Sequence, residues 1–301
     1  MVLAKKIFAK IFAFFVVSKI KKSYPNAAQI QIKTLKSLIN KAKKTKFGIE
    51  HQFHKINSVE EYIDKVPIRD YEDIKKYIDE IKKGIKDILW PGKPKYLAKT
   101  SGTTSGVKHI PITNESMPNH ILCSRNALLF YIYETGDTSF LNGKTIFLQG
   151  SPVLDEINGI LIGRLSGIVA HHIPSYLRKN NLPSVKANSI EDWEEKVNEI
   201  CNETINENMT TIGGIPSWVQ MYFETLLKKS NKKNIAELFK GLSLFVYGGV
   251  NFYPYEKIFN KLLGKKINTI EYYPASEGFF AYQNSQKDKS LLLQYLSLIH
   301  I

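Results

Sequence analysis

Residues 100–108 read Thr-Ser-Gly-Thr-Thr-Ser-Gly-Val-Lys. The stretch joins the hydroxyls of Thr100, Ser101, Thr103, Thr104 and Ser105 to two glycines, Gly102 and Gly106, and to the ammonium of Lys108. A polyphosphate asks for this set. Glycines let the backbone turn and present its N–H groups, hydroxyls add donors, and lysine adds a point charge. The loop is not a Walker A motif, which needs G-x-x-x-x-G-K-[ST] opening a helix. Here Gly102 and Gly106 are four apart, Lys108 follows two residues later, and Pro111 keeps the next segment extended. It is not G-x-G-x-x-G either. The competing reading is a polar surface turn.

Two further constellations lie downstream. Glu271-Tyr272-Tyr273-Pro274-Ala275-Ser276-Glu277-Gly278 sets aromatics that can stack on a base beside a carboxylate that can hold Mg²⁺. Tyr247-Gly248-Gly249-Val250 offers glycines where a flat ring could approach the backbone. His51 and His54 have HxxH spacing without a third ligand, so no metal centre is expected there. His171-His172 read as partly buried structural histidines. Arg125 and Arg164 are candidates to meet a substrate carboxylate. Phe147, Trp218, Tyr222 and Phe223 read as core.

These residues must be carried by strands and helices, and the pattern supplies both. Residues 26–46 read as a lysine-rich helix with Ile30, Leu35, Leu38 and Ile39 inward, stopped by Phe47-Gly48 with Gly as C-cap. Ser58 caps a short helix, with Glu61 at the capping-box offset. Residues 70–83 are helical, 90–94 turn, and 95–98 and 108–112 are extended. Residues 145–150 read as a buried strand. Strand, Gly-Gly turn and proline-led helix then repeat over 209–229 and 242–263, and a third strand, 267–273, runs into a loop at 274–278. This alternation implies parallel βαβ units, with ligands at the carboxyl ends of the strands.

Composition bounds the partners. The chain has 301 residues, 43% hydrophobic, and two cysteines, Cys123 and Cys201, too far apart in sequence and too unpatterned for a metal motif. They read as free thiols of a cytoplasmic protein. The net charge of +14 is uneven: residues 1–50 hold twelve Lys and one acid, Glu50, a net +11. With only four Arg in the chain, nucleic acid is not the expected partner. In residues 3–20, Leu3, Ile7, Phe8, Ile11, Phe12 and Phe15 share a helical face opposite Lys5, Lys6 and Lys10. The uncharged run is too short to span a bilayer. That face either docks on its own domain or, as peripheral contact through residues 1–22, lies on an anionic membrane.

Taken in order and spacing, the motifs resemble the adenylate-forming enzymes, and most closely the bacterial branch of the GH3 family of acyl acid amido synthetases. The residues that carry the resemblance are Thr45–Gly48, Val66-Pro67-Ile68 with Tyr71-Glu72-Asp73, Leu89–Gly92, Ser101–Gly106 with Lys108 and Ile110-Pro111, Gly213–Trp218, and Tyr273 with Ala275–Gly278. Thr100 stands where the family usually has Ser. The resemblance implies an α/β fold, the N-terminal lobe of an adenylate-forming enzyme with parallel βαβ units, preceded by N-terminal helices. It implies ATP and Mg²⁺, activation of a small carboxylic acid as acyl-adenylate, and transfer to an amine, an amino acid in this family. Thr100 and Ser101–Gly106 would grip phosphates. Gly248, Gly249, Tyr272 and Tyr273 would frame adenine. Lys108, Ser276 and Glu277 would be catalytic, with Glu277 on the metal. The expected organisation is a helical segment over 1–90, an α/β ATP-binding lobe over 91–295, and a non-native tail over 296–301. The family's later Tyr-Arg-x-Gly-Asp-type motif and C-terminal lysine are missing, so a truncated, inactive fragment is expected. Alternatives are an acyl-CoA ligase of the same superfamily and a non-catalytic membrane-peripheral scaffold.

Overall fold

The sequence begins with a helical layer, and the local reasons are visible residue by residue. The computed structural model describes residues 2–100, 106–174, 178–288 and 290–294. Residues 296–301, read as a tail, lie outside the described residues. Among these, the chain opens with helices α1 (Val2–Ser23), α2 (Ala27–Ala42), α3 (Lys46–Glu50), α4 (Val59–Lys65) and α5 (Tyr71–Lys82). Leu35 and Ile39 of α2 are buried against Phe53 and Ile56. The expected stop at Gly48 is corrected. The helix ends six residues earlier, and Thr45 caps a new short helix, its hydroxyl oxygen accepting from Gly48 N–H at 3.0 Å. Gly48 is therefore inside α3, where a Cβ would stand 2.1 Å from the Ala42 carbonyl oxygen. The Ser58 cap forms, accepting from Glu61 N–H at 3.1 Å, but the Glu61 carboxylate takes Asn57 N–H rather than closing the box. Asp70 and Asp73 do close one at the start of α5.

Strands β1 (Tyr96–Thr100), β2 (Lys108–Ile112), β3 (Lys144–Phe147), β4 (Asp155–Ile157), β5 (Ile160–Arg164), β6 (Asn181–Leu182), β7 (Met209–Gly214), β8 (Leu244–Gly248), β9 (Asn268–Ala275), β10 (Gly278–Gln283) and β11 (Leu291–Leu293) form two sheets. One is four-stranded, ordered β2-β1-β5-β4; the other is seven-stranded, ordered β11-β10-β9-β8-β7-β3-β6. In the larger sheet β6, β3, β7, β8 and β9 run parallel, and β10 and β11 add antiparallel. The expected βαβ units are the ones seen. Two boundaries shift: the strand expected over 145–150 ends at Phe147, and the strand expected over 267–273 runs on to Ala275 and folds straight back.

Helices α6 (Met117–Thr135), α7 (Leu165–Ala170), α8 (Trp193–Thr204), α9 (Pro216–Ser230) and α10 (Glu256–Leu263) cover the sheets. The two faces of β8 show why. Phe245 and Tyr247 point into one core with Ile146, Ile212, Tyr222, Phe223 and Phe259, under α8, α9 and α10. Leu244 and Val246 point to the other, with Ile270, Phe279, Tyr282 and Phe130. Burial on both faces is why β7, Met-Thr-Thr-Ile-Gly-Gly, is buried at every position. Each large aromatic fully withdrawn from water contributes on the order of 2 kcal/mol.

Helix α1 docks on this second core, with Ala13 and Val17 buried beside Cys123 and Ala127 of α6. Docking is as expected, but the face is not. Leu3, Ile7, Phe8, Ile11, Phe12 and Phe15 point to solvent, because the small residues on the other side let the helix lie close to α6. No described helix is long and apolar enough to cross a membrane. Both cysteines are free and buried.

Gly48→Ala should destabilise the chain by about 2 kcal/mol, since the new methyl group meets backbone that has nowhere to go. Urea unfolding checks this; a midpoint within error of the parent would show that the contact between α2 and α3 is slack.

Candidate functional site

The strands on either side of the loop expected to grip phosphates form a hairpin. β1 and β2 pair antiparallel from Tyr96–Ile112 up to Thr100–Lys108, so Thr100 and Lys108 face each other where the chain leaves and re-enters the sheet. Ser101, Gly102, Thr103, Thr104 and Ser105 lie outside the described residues. Gly106 has φ +80°, which a side chain would strain. The second strand is fixed to α5: the Tyr71 hydroxyl oxygen accepts from His109 N–H at 2.9 Å, and Lys108 Nζ stands 5.5 Å from the centre of the Tyr71 ring. Burial, with help from Lys82 and Lys99, holds the His109 imidazole below its ordinary pKa.

The second group lies along the larger sheet. Because β3, β7, β8 and β9 are parallel, their carboxyl ends share one edge. The chain leaves β3 for β6 on one side and resumes at β7 on the other, so the strand order reverses between β3 and β7, the place where open α/β sheets bind ligands. Phe147, expected in the core, is half-exposed here beside Gly213. Gly248 pairs with Tyr272, and a Cβ at 248 would stand 2.5 Å from the Tyr272 carbonyl oxygen, so this glycine brings the ends of β8 and β9 together. The Tyr247 hydroxyl donates to Glu271 at 3.0 Å, and burial and that carboxylate push the phenol above its ordinary pKa.

The residues after β9 divide between the two faces. Tyr272 turns into the core under α6, its hydroxyl donating to the Ser124 carbonyl at 2.8 Å and its ring set edge-on to Phe279. Tyr273 points the other way, exposed, 5.4 Å from the Phe280 ring. A strand cannot present consecutive side chains to one wall, so the structure does not bring the two tyrosines together. Ser276 and Glu277 form the tight turn between β9 and β10. Neither side chain has a hydrogen-bond or ion-pair partner among the described residues.

The two sheets meet behind this edge. Arg164, at the end of β5, is paired in register with Lys99, one residue before Thr100. Its side chain packs on Gly150, where a Cβ would lie 2.9 Å away, and Gly150 N–H donates to Ser166 at 3.2 Å. The base of the hairpin and the loop after β3 are thereby neighbours. Of the two candidate arginines, Arg164 belongs here; Arg125 instead sits over the Phe12 ring on the α1 side. His171 and His172 are structural, bonded to the Pro152 carbonyl at 2.7 Å and to the Tyr96 hydroxyl at 3.0 Å. Trp218 packs against Trp193 with the two rings tilted, and Tyr222 and Phe223 are core as expected. Two polar groups escaped the sequence reading: Gln149, buried just after β3, whose Oε1 has no partner among the described residues, and Lys196, buried in α8. Nothing in local spacing marks either.

Residues 16–185 match the model of the GH3 family N-terminal domain. The chain belongs to the GH3 family. Its fold is that of AtGH3.15 acyl acid amido synthetase in complex with 2,4-DB, with a TM-score of 0.76 and 16% identity over 93% of this chain and 59% of that one. A second structure of GH3.15 acyl acid amido synthetase gives 0.70 and 15% over 92% and 59%. A 2-hydroxyisobutyryl-CoA ligase with 2-HIB-AMP and CoA gives 0.51 and 12% over 86% and 57%. The chain thus spans less than two thirds of the length of these structures. No curated protein sequence matches it significantly.

In this GH3 chain Lys196 Nζ donates to the Asn188 carbonyl at 2.6 Å, and burial first, then Arg164, hold its pKa below the ordinary lysine value. Between the depressed folded value and the unfolded one, about 10.4, the unfolded chain binds more protons and stability rises with pH. Lys196→Met lacks this term. The parent should therefore gain stability relative to the variant as pH rises toward the unfolded value in urea unfolding, and a pH-independent difference would contradict the shift.

Proposed function

We propose that this chain is the nucleotide-binding part of an ATP-dependent acid-activating ligase, with residues 91–295 forming the lobe and residues 1–90 a helical layer packed on it. The observation that carries the reading is the junction at Arg164. It puts the base of the Thr100–Lys108 hairpin beside the loop after β3, at the edge that also carries Gly248-Gly249 and Ser276-Glu277.

In this reading a substrate carboxylate oxygen attacks the α-phosphorus of ATP, the bond to the β-phosphate oxygen breaks, and pyrophosphate leaves. An amine nitrogen then attacks the acyl carbon, loses its proton, and AMP departs. The first step brings anion to anion, so donors fixed before the reaction lower the barrier most. Thr100 and Ser101–Gly106 would hold the β- and γ-phosphates with hydroxyls and N–H groups. Lys108, over Tyr71, would supply positive charge after swinging from the ring. Gly248, Gly249 and Tyr273 would bound the adenine. Tyr272 would act beneath them through its packing, since its hydroxyl is already bonded to Ser124. Ser276 would face the α-phosphate. Glu277 is a suitable Mg²⁺ ligand, an oxygen donor on a turn with no competing partner among the described residues, and the ion would neutralise phosphate charge. Free, buried thiols suit a cytoplasmic setting. An amino acid is the acceptor the family favours.

Calorimetry with ATP and Mg²⁺ tests the reading. The parent chain should bind, and the triple substitution Ser101→Ala, Thr103→Ala, Thr104→Ala should weaken binding at least about tenfold, the worth of one or two charge-assisted hydrogen bonds. Unchanged affinity would favour the non-catalytic scaffold.

A further inference from the structure

Helix α1 uses only one side to dock. Ala9, Ala13, Val16, Val17 and Ile20 face α6 and its core. At 100° per residue the opposite half of the helix carries Leu3, Ile7, Phe8, Ile11, Phe14 and Phe15. All six are exposed; Leu3 is 70% accessible, Phe8 68% and Phe15 66%. Soluble chains rarely leave so many large apolar groups contiguous. The charges of α1 itself are all positive, although Lys5 Nζ donates to the Leu141 carbonyl at 3.1 Å and Lys21 lies over the Tyr133 ring. Lys5 and Lys10 lie along the two borders of the apolar face, and Lys19, Lys21 and Lys22 close its C-terminal end. Beside that end a shallow cavity of about 440 Å³ is lined by Ile30 and by Lys19, Lys22, Ser23, Asn26, Gln29 and Lys33, six side chains that can donate to a phosphate.

We propose that this face rests on an anionic phospholipid surface. The phenylalanines enter the headgroup–acyl boundary, the bordering lysines extend their ammonium groups to the phosphates, and the groove between α1 and α2 receives one headgroup. The arrangement of an apolar half bordered by lysine is that of an interfacial helix. Charge decides between occupants. Residues 1–50 carry a net +11, so a second copy would set two strongly positive segments against each other, whereas an anionic bilayer complements them. The same helix is packed on α6 and is not apolar enough to span a bilayer, so it would lie on the surface rather than enter it. The inference is independent of the nucleotide reading.

Co-sedimentation of the 301-residue chain with vesicles tests it, using phosphatidylcholine alone and phosphatidylcholine with an equal part of phosphatidylglycerol. Binding is expected to the mixed vesicles, weakening steeply with added salt. Phe8→Ser with Phe15→Ser should reduce it at least about tenfold, and Lys19→Glu with Lys22→Glu and Lys33→Glu should do the same. These positions are exposed, and circular dichroism would confirm that both variants fold. Failure of the parent to sediment with mixed vesicles at low salt would overturn the proposal. Full retention by the phenylalanine variant would overturn it too. So would a dimer in sedimentation velocity that those same serines abolish, since the face would then belong to a second copy.

Discussion

Everything at the candidate site depends on the parallel register of β3, β7, β8 and β9. Parallel pairing sends the chain back over the sheet between strands; the returns α8, α9 and α10 bury one face, while α6 and α1 cover the other. It also forces each strand to release its next loop at the same edge. Four loops far apart in sequence are thus set side by side, about 4.8 Å apart per strand. Gly248 tightens the arrangement, since its missing side chain is what lets the end of β8 close onto the Tyr272 backbone. A site made this way is preorganised first by the backbone hydrogen bonds of the sheet.

The smaller sheet contributes differently. Its strands are buried on both faces, Leu97, Ile160 and Ile162 against α5 and Tyr96, Ala98 and Ile112 against Met117 and Ile168, and two polar or side-chain contacts tie it further to its surroundings. Tyr71 fixes β2 from the helical layer, and Arg164 ties the end of β5 to the loop after β3. The N-terminal helices are therefore part of how β2 is held, which gives a physical role to the Tyr71 segment that the sequence alone marks only by resemblance.

Much of this was legible from the sequence. Period-two and period-3.6 patterns, with Gly-Gly turns and proline-led helices, indicate the parallel units because each signal is local. What was not legible depends on contacts across the chain. The apolar stripe of α1 looks inward by pattern, yet Ala13 and Val17 pack closer to α6 than phenylalanines could. Gly48 looks like a helix end until Ala42 is seen against it. Tyr272 and Tyr273 look equivalent until the pleat sends one into the core and the other to solvent. Lys196 and Gln149 carry no spacing signal, and their burial is a property of the folded chain.

The central claim is that the carboxyl edge of the larger sheet holds the nucleotide. Photo-crosslinking with 8-azido-ATP and Mg²⁺, followed by peptide mass spectrometry, asks this directly. Label on peptides containing Gly213–Trp218, Gly248–Tyr253 or Tyr273–Gly278, displaced by ATP, is the expected result. Label confined to the helices before residue 90, or label that ATP does not displace, would contradict it.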